Sequence, residues 1–254
     1  MSDFAKAFEK LVNIMLELRE KCPWDKKQTN ESLRYLTIEE CYELSDAILS
    51  KNSLDIKEEL GDLILHVIFY CVIASEKSQF TLNDVLNAQS EKLIHRHPHI
   101  YSNVKVKNEK EVKKNWELLK LKEKSKSSIL SGVPKSLPTM LKSYRVLEKV
   151  KGIGFDFINN DDAFDKVVEE INEFKKEFRQ NNLDRASDEF GDILFSLIGY
   201  GQKIGINAVN SLEKTNQKFI KRFNEMENLI SKDKKNISDY SLDDLDVFWN
   251  NLKA

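Results

Sequence analysis

Residues that interrupt helices are scarce in this sequence. Only 8 glycines and 4 prolines occur among 254 residues, whereas 32% of the residues are charged. Glycine and proline mark most turns and strand ends, so their scarcity together with the many charges favours long helices over sheets. We therefore predict an all-α chain, whose length allows two domains of about 125 residues each.

The sequence also lacks a strong net charge and long apolar runs. Its formal net charge of -2 provides no basic field, so we do not expect nucleic acid as a partner. No apolar run approaches the roughly 18 residues of a membrane span, and the first residues do not resemble a signal peptide. These absences predict a soluble, cytoplasmic protein with no membrane partner.

Cysteine is rare and shows no metal-binding or disulfide pattern. The three cysteines are an odd number, and no two have the CxxC spacing. Cys41 and Cys71 lie in apolar helical runs, so we predict that both are core thiols.

An acidic pattern, in contrast, occurs twice. The segments EECYE (residues 39–43) and ELGD (59–62) are followed, 130 positions later, by EEINE (169–173) and EFGD (189–192). An internal repeat with a period near half the chain length predicts two copies of one structural unit. Because the repeat keeps its acids as well as its apolar positions, the acids are candidates for function.

The spacing of the acids predicts two clusters of carboxylates. Acids three positions apart share a helix face, so two antiparallel helices bring four carboxylates together. Clustered carboxylates bind hard cations such as Mg²⁺ or Mn²⁺, which offset the mutual repulsion of the anions. The alternative is a set of solvated surface acids. The predicted ligands are a first acidic set (Glu40, Glu43, Glu59 and Asp62) and a second acidic set (Glu170, Glu173, Glu189 and Asp192).

Two glycines accompany the acids inside predicted helices. Glycine costs about 1 kcal/mol relative to alanine in a helix interior. The positions of Gly61 and Gly191 beside the acids therefore predict a close approach of another backbone. His66 follows Asp62 by one turn, but Ser196 replaces it in the second copy, so we interpret His66 as a core residue or a neighbour of the metal ligands.

Basic pairs follow each acidic set. Lys92 and Arg96 are four residues apart, as are Lys218 and Arg222, and two cations on one helix face favour an anion such as phosphate between them. A tryptophan and a lysine four residues apart then follow in each copy. Solvated lysines and core tryptophans are the alternative interpretation. The residues of these last pairs are Trp116 with Lys120 and Trp249 with Lys253.

Local signals predict the helix boundaries and the domains. Thr37 and Glu40 have the form of a capping box that opens the second helix, and Asn52 or Ser53 begins the third. A segment rich in serine, with Gly132, Pro134 and Pro138, predicts a linker. The predicted ranges are an N-terminal domain at residues 1–122, a linker at 123–138 and a C-terminal domain at 139–254.

Several motifs resemble those of the MazG family within the all-α NTP pyrophosphatase superfamily. They are CPWDKKQT (22–29), EELGDL (58–63), KLIHRHPHIY (92–101), SGVPKSLP (131–138) and GIGFDF (152–157), together with the paired acidic segments. The resemblance implies two tandem MazG-like helical domains, each built around a four-helix-bundle core that a homodimer completes. It also implies Mg²⁺-dependent hydrolysis of nucleoside triphosphates to a nucleoside monophosphate and pyrophosphate.

The resemblance further implies that the C-terminal domain carries most or all of the activity. The second acidic set would then hold the metal, and Glu169 or a metal-bound carboxylate would orient or deprotonate the attacking water. Lys218 and Arg222 would neutralise the leaving pyrophosphate, while Trp249 and Lys253 would contact the substrate. Lys92, Arg96, Trp116 and Lys120 would contact substrate at a site around the intact first acidic set.

Two other classes of protein remain as alternatives. A ferritin-like di-iron bundle requires a Glu-x-x-His motif, whereas the nearest pair here is Asp62 and His66, four residues apart and absent from the second copy. A non-catalytic nucleotide-binding dimer would keep the ligand contacts and lack turnover.

Overall fold

The chain folds as an all-helical protein, as predicted. The computed structural model describes residues 2–123, 128–232 and 236–252, and these ranges contain helices and no strand. Contacts between residues divide the chain into two compact units, Met1–Val104 and Lys105–Ala254. In the described residues, no helix combines the length and the apolar character that crossing a membrane requires.

The first unit is built on a long helical hairpin. Asn52 caps the third helix of the chain, as predicted, whereas Thr29 caps the second helix. The predicted capping box at Thr37 is wrong, because Thr29 and Ser32 form the capping box at the start of the same helix, which already contains Thr37. The α-helices described in this unit are α1 (Asp3–Lys21), α2 (Asn30–Ser50), α3 (Ser53–Glu76), α4 (Leu82–Arg96) and α5 (Pro98–Tyr101).

The core of the first unit lies where α1 packs against the hairpin. Arg19 closes one end of this core, since its guanidinium donates two hydrogen bonds to the Glu76 carboxylate at 2.7 and 2.8 Å. The same guanidinium lies 5.8 Å from the centre of the Phe69 ring. The fully or nearly buried side chains of this core are Met15, Leu33, Ile68, Phe69, Val72 and Ile73.

The second unit contains a second hairpin of the same kind. Its arms are antiparallel because only a short turn, which contains Asn181, joins them. The helices described in this unit are α6 (Glu109–Glu123), α7 (Thr139–Gly152), α8 (Asn160–Arg179), α9 (Leu183–Lys203), α10 (Ala208–Lys232) and α11 (Leu242–Asn251).

The division between the units falls earlier than the predicted linker at residues 123–138. A buried ion pair explains the difference: Nζ of Lys149 in α7 lies 3.2 Å from Oε2 of Glu117 in α6. Because this pair joins α6 to α7, the contacts assign α6 to the second unit. Residues 124–127 of the predicted linker lie outside the described residues.

Two expectations about individual residues are not met within this chain. A side chain at Gly61 or Gly191 would meet no atom within 4 Å, so within the described residues no backbone approaches these glycines. Cys71 is buried as predicted, but Cys41 is exposed. Cys41 lies in α2, which exposes Tyr35, Ile38 and Tyr42 while it buries Leu33. An apolar pattern alone therefore did not identify the buried side of this helix.

Candidate active site

Three carboxylates meet in the first unit. Glu40 and Glu43 of α2 and Glu59 of α3 each offer an oxygen atom, and these atoms all lie within 4.8 Å of one another. Residues three positions apart on α2 face the neighbouring arm of the hairpin, which is the geometry that the spacing predicted. Oε2 of Glu59 is buried and has no hydrogen-bond partner among the described residues.

The environment of this first cluster disfavours negative charge. Burial raises the pKa of Glu40, and the charges of Asp62 and Glu43 raise it further. Burial is also the largest cause of the raised pKa of Glu59, followed by the charges of Glu43 and Glu40. A cation bound among these crowded carboxylates would stabilise their ionised form.

The second unit repeats the arrangement with the second set. Glu170 and Glu173 of α8 and Glu189 of α9 have oxygen atoms within 4.8 Å of one another. Burial, followed by the charges of Glu173 and Asp192, raises the pKa of Glu189. Glu170 is buried, whereas Glu173 is exposed.

The fourth acid of each set stands slightly apart. Asp62 and Asp192 are not members of the two groups of converging oxygen atoms. Their charges nevertheless act on the pKa values of Glu40 and Glu189, so both lie near the clusters. The structure therefore brings together three acids of each set, with the fourth close by.

Lys166 is a site residue that the sequence interpretation missed. Its Nζ atom lies 2.8 Å from a carboxylate oxygen of Glu169 and 2.8 Å from one of Glu170. The hydrogen bonds that its ammonium group donates to these two carboxylates raise the pKa of Lys166. The spacings of three and four residues along α8 were a visible signal. The repeat hid it, because the equivalent position in the first copy is Leu36.

The predicted phosphate contacts of the second unit lie on α10 and α11. Lys218 is exposed and Arg222 is partly buried, and within the described residues neither forms a salt bridge. The Trp249 ring packs against Phe219, the residue after Lys218, with 4.9 Å between ring centres. Trp249 is thus held beside the basic pair, whereas Lys253 lies outside the described residues.

The predicted contacts of the first copy are distributed over both units. Lys92 and Arg96 lie on α4 of the first unit. Trp116 and Lys120 lie on α6, which belongs to the second unit, and Nζ of Lys120 is 3.2 Å from Oε1 of Glu117. The assignment of Trp116 and Lys120 to the domain of the first acidic set therefore differs from the division by contacts, for the same reason as the predicted linker.

Comparison with known proteins indicates one family. The family model described as the MazG nucleotide pyrophosphohydrolase domain matches residues 28–101, which contain the whole first acidic set. A Thermotoga maritima protein named nucleoside triphosphate pyrophosphohydrolase/pyrophosphatase MazG is 38% identical over all of this chain and 98% of its own length. The chain belongs to the MazG family.

Other relatives of this MazG chain also extend over both units. The nucleoside triphosphate pyrophosphohydrolase of Escherichia coli is 36% identical over 96% of each chain. The uncharacterized protein YabN of Bacillus subtilis is 41% identical over 97% of this MazG chain and 51% of its own length. The resemblance that the motifs indicated is thereby confirmed, and it extends beyond the segment that the family model matches.

Proposed function

We propose that this chain hydrolyses nucleoside triphosphates to a nucleoside monophosphate and pyrophosphate at the second acidic set. The convergence of Glu170, Glu173 and Glu189 within 4.8 Å is the observation that supports this proposal. The names of the full-length relatives from Thermotoga maritima and Escherichia coli support the same reaction. We further propose that the enzyme acts in the cytoplasm on free nucleotides, and that surplus or non-canonical nucleotides are its substrates.

The donor atoms fit a hard divalent cation. They are all carboxylate oxygens from two facing helices, which suits Mg²⁺, with Mn²⁺ as a substitute. The raised pKa of Glu189 is consistent with a site whose charge a cation balances. The ligands would be Glu170, Glu173, Glu189 and Asp192. When bound, the metal would lower the pKa of a water molecule and neutralise triphosphate oxygens.

The remaining residues have distinct roles in this proposal. Glu169 orients the water and accepts its proton as the water oxygen bonds to the α-phosphorus. The bond from that phosphorus to the bridging oxygen breaks, and pyrophosphate leaves. Lys218 and Arg222 offset the charge that grows on the leaving group, and Trp249 provides a wall for the base.

Lys166 balances part of the negative charge of the carboxylate cluster. In the structure its ammonium group shares the carboxylates of Glu169 and Glu170. A cation that binds Glu170 would compete with Lys166 for the same oxygen atoms. Release of Lys166 would also free Glu169 to act on water, so this lysine links metal binding to the proposed general base.

We also propose that two chains form a homodimer through the outward faces of the hairpins. The α3 helix exposes Leu60, Ile64 and Val67, all between 44% and 48% accessible. The equivalent positions of α9 are likewise apolar and exposed, namely Phe190, Leu194 and Leu197. A helix that is apolar on both faces is normally buried on both, so a second hairpin is the expected cover. The exposed Gly61 and Gly191 beside these stripes would admit a close neighbour.

One experiment separates the enzyme from the alternative of a non-catalytic nucleotide-binding dimer. Pyrophosphate release is measured with each nucleoside triphosphate, in Mg²⁺ and in EDTA. We expect turnover in Mg²⁺ and none in EDTA. Glu173→Gln should abolish this turnover and leave the helix content, measured by circular dichroism, unchanged. Asp161→Asn is the matched control, because it makes the same charge change about 18 Å away on α8. A Glu173→Gln variant with a near-normal rate would show that the cluster is not catalytic.

A further inference from the structure

A cavity of about 960 Å³ opens in the second unit, away from the carboxylate cluster. Its walls include Asn160 at the start of α8 and Gln202 near the end of α9. Asn160 precedes Glu170 by ten residues, and Gln202 follows Asp192 by ten. Because a helix rises about 1.5 Å per residue, the cavity lies roughly 15 Å from the second acidic set.

The wall of this cavity contains a buried carboxylate that is shared by three cations. Oε2 of Glu117 lies 3.2 Å from Nζ of Lys149, and its Oε1 lies 3.2 Å from Nζ of Lys120 and 3.4 Å from Nη2 of Arg145. Glu117 and Lys149 are only 8% and 4% exposed. Burial raises the pKa of Glu117, but the hydrogen bonds from Lys149 and Lys120 outweigh it and lower the pKa overall. One anion therefore faces three cations.

The rest of the wall does not remove this excess of positive charge. Lys151 and Lys203 share the single carboxylate of Asp156, at 3.6 and 3.1 Å, and Glu148 pairs with Arg145. Arg145, Lys151 and Lys203 line the cavity, whereas Lys120 and Lys149 pair with Glu117 without lining it. The whole network of ion pairs therefore contains five cations and three carboxylates. A partly buried excess of two positive charges is unfavourable unless an anion enters.

The cavity also offers groups that suit a planar ring. Trp116 and Tyr144 line it beside Arg145 and Lys151. Its volume falls in the range of small-molecule sites and far exceeds the space that an inorganic phosphate requires. Gly152 allows the end of α7 to lie against Glu117, since a Cβ atom there would meet Cγ of Glu117 at 3.3 Å.

We propose that this cavity binds a nucleoside monophosphate at a second site, separate from the metal carboxylates. Arg145 and Lys151 contact the phosphate, and Trp116 and Tyr144 contact the base. The site needs no divalent cation, because its own side chains supply the positive charge. This proposal does not depend on hydrolysis at the second acidic set, since binding is measured without metal and without turnover.

Calorimetric titration of the full chain with AMP in EDTA tests the proposal. We expect one binding event that Arg145→Gln or Lys151→Gln weakens roughly 10- to 100-fold, as for the loss of one charged hydrogen bond. Arg222→Ala, in the proposed catalytic site, and Arg179→Gln, an exposed control outside the cavity, should leave it unchanged. Equal AMP affinity in Arg145→Gln and the unaltered chain, or loss of binding in Arg222→Ala, would overturn the assignment.

Two further measurements test the parts of the site. Glu117→Gln increases the positive excess, so AMP should raise the melting temperature of this variant more than that of the unaltered chain. An equal or smaller rise would contradict the electrostatic argument, even if the variant is less stable. Inorganic phosphate should bind much more weakly than AMP, and equal affinity would contradict a role for the aromatic wall.

Discussion

Lys51 and Asn181, 130 positions apart, adopt the same left-handed backbone conformation, each with a φ angle of 58°. In each hairpin the next residue, Asn52 or Asn182, donates its backbone amide to a carbonyl of the preceding helix at 3.1 Å. The same two asparagines cap the second arms, α3 and α9. The internal repeat therefore includes the turn of the hairpin as well as the carboxylates.

This shared turn predicts a difference between two substitutions. The left-handed conformation costs a residue with a side chain about 1–2 kcal/mol, and this cost is smaller for asparagine than for lysine. Glycine also increases the conformational entropy of the unfolded chain, which offsets part of the relieved strain. Lys51→Gly should therefore increase the free energy of unfolding by about 0.5–1 kcal/mol. Asn181→Gly should give a smaller gain. Urea unfolding of both variants measures this, and a loss of stability in Lys51→Gly would contradict it.

The sequence predicted the parts of the fold that depend on near neighbours. The start of α3 at Asn52 follows from a capping side chain that acts within one turn. The carboxylate clusters were predicted because the helical period fixes which acids share a face. The capping box predicted at Thr37 was wrong because the helix had already begun at Asn30. The Thr37 hydroxyl instead donates a hydrogen bond to the Leu33 carbonyl inside α2.

Features that depend on distant residues could not be predicted. The pair of Glu117 and Lys149 joins residues 32 positions apart, so no local pattern placed α6 with the second unit. Lys166 was missed because the comparison of two copies draws attention to what they share. Only the second copy has a lysine at this position, because the first copy has Leu36 there.

The two acidic sets should differ in their contribution to turnover. We expect Glu40→Gln with Glu43→Gln to leave most nucleoside triphosphate hydrolysis, whereas Glu170→Gln with Glu173→Gln removes nearly all of it. The charge change is the same in both double variants, so each is the control for the other in a pyrophosphate-release assay. The reverse pattern would move the active site to the first unit, and loss from either pair would indicate two coupled sites.

Lys166 should weaken metal binding in the absence of nucleotide. Its ammonium group occupies the carboxylates of Glu169 and Glu170. Lys166→Gln should therefore bind Mn²⁺ more tightly, by roughly 3- to 10-fold for loss of a partly exposed charge at this distance. Electron paramagnetic resonance of free Mn²⁺ measures the affinity. Lys175→Gln, exposed on the same helix, is the control, and unchanged or weaker binding in Lys166→Gln would refute the competition.

Arg222 should act on the transition state more than on the bound substrate. Charge develops on the leaving pyrophosphate as the bond to the α-phosphorus breaks. Arg222→Ala should therefore lower kcat by roughly 10- to 1000-fold, as for loss of one charge-stabilising donor. Lys214→Ala, one turn before Lys218 on α10, should have little effect. A raised KM with unchanged kcat would show that Arg222 binds substrate and transition state equally.

The effect of Mg²⁺ on stability should depend on pH. The pKa values of Glu40, Glu59 and Glu189 are raised above the ordinary 4.5 in the folded chain, with burial as the largest cause. Folded carboxyls that hold protons more tightly than unfolded ones stabilise the fold fully below pH 4.5. That contribution is lost as the pH rises through the raised pKa values.

A bound cation reverses this loss only where the carboxylates are ionised. We therefore expect Mg²⁺ to raise the melting temperature more at pH 7.5 than at pH 5, relative to EDTA at each pH. Glu189→Gln should reduce the rise at pH 7.5, and Asp161→Asn should preserve it. Thermal unfolding followed by circular dichroism measures the unaltered chain at both pH values and the two variants at pH 7.5, each in Mg²⁺ and in EDTA. An equal Mg²⁺ effect at both pH values would show that the cation does not bind these carboxylates, because ionisation would then have no influence on its affinity.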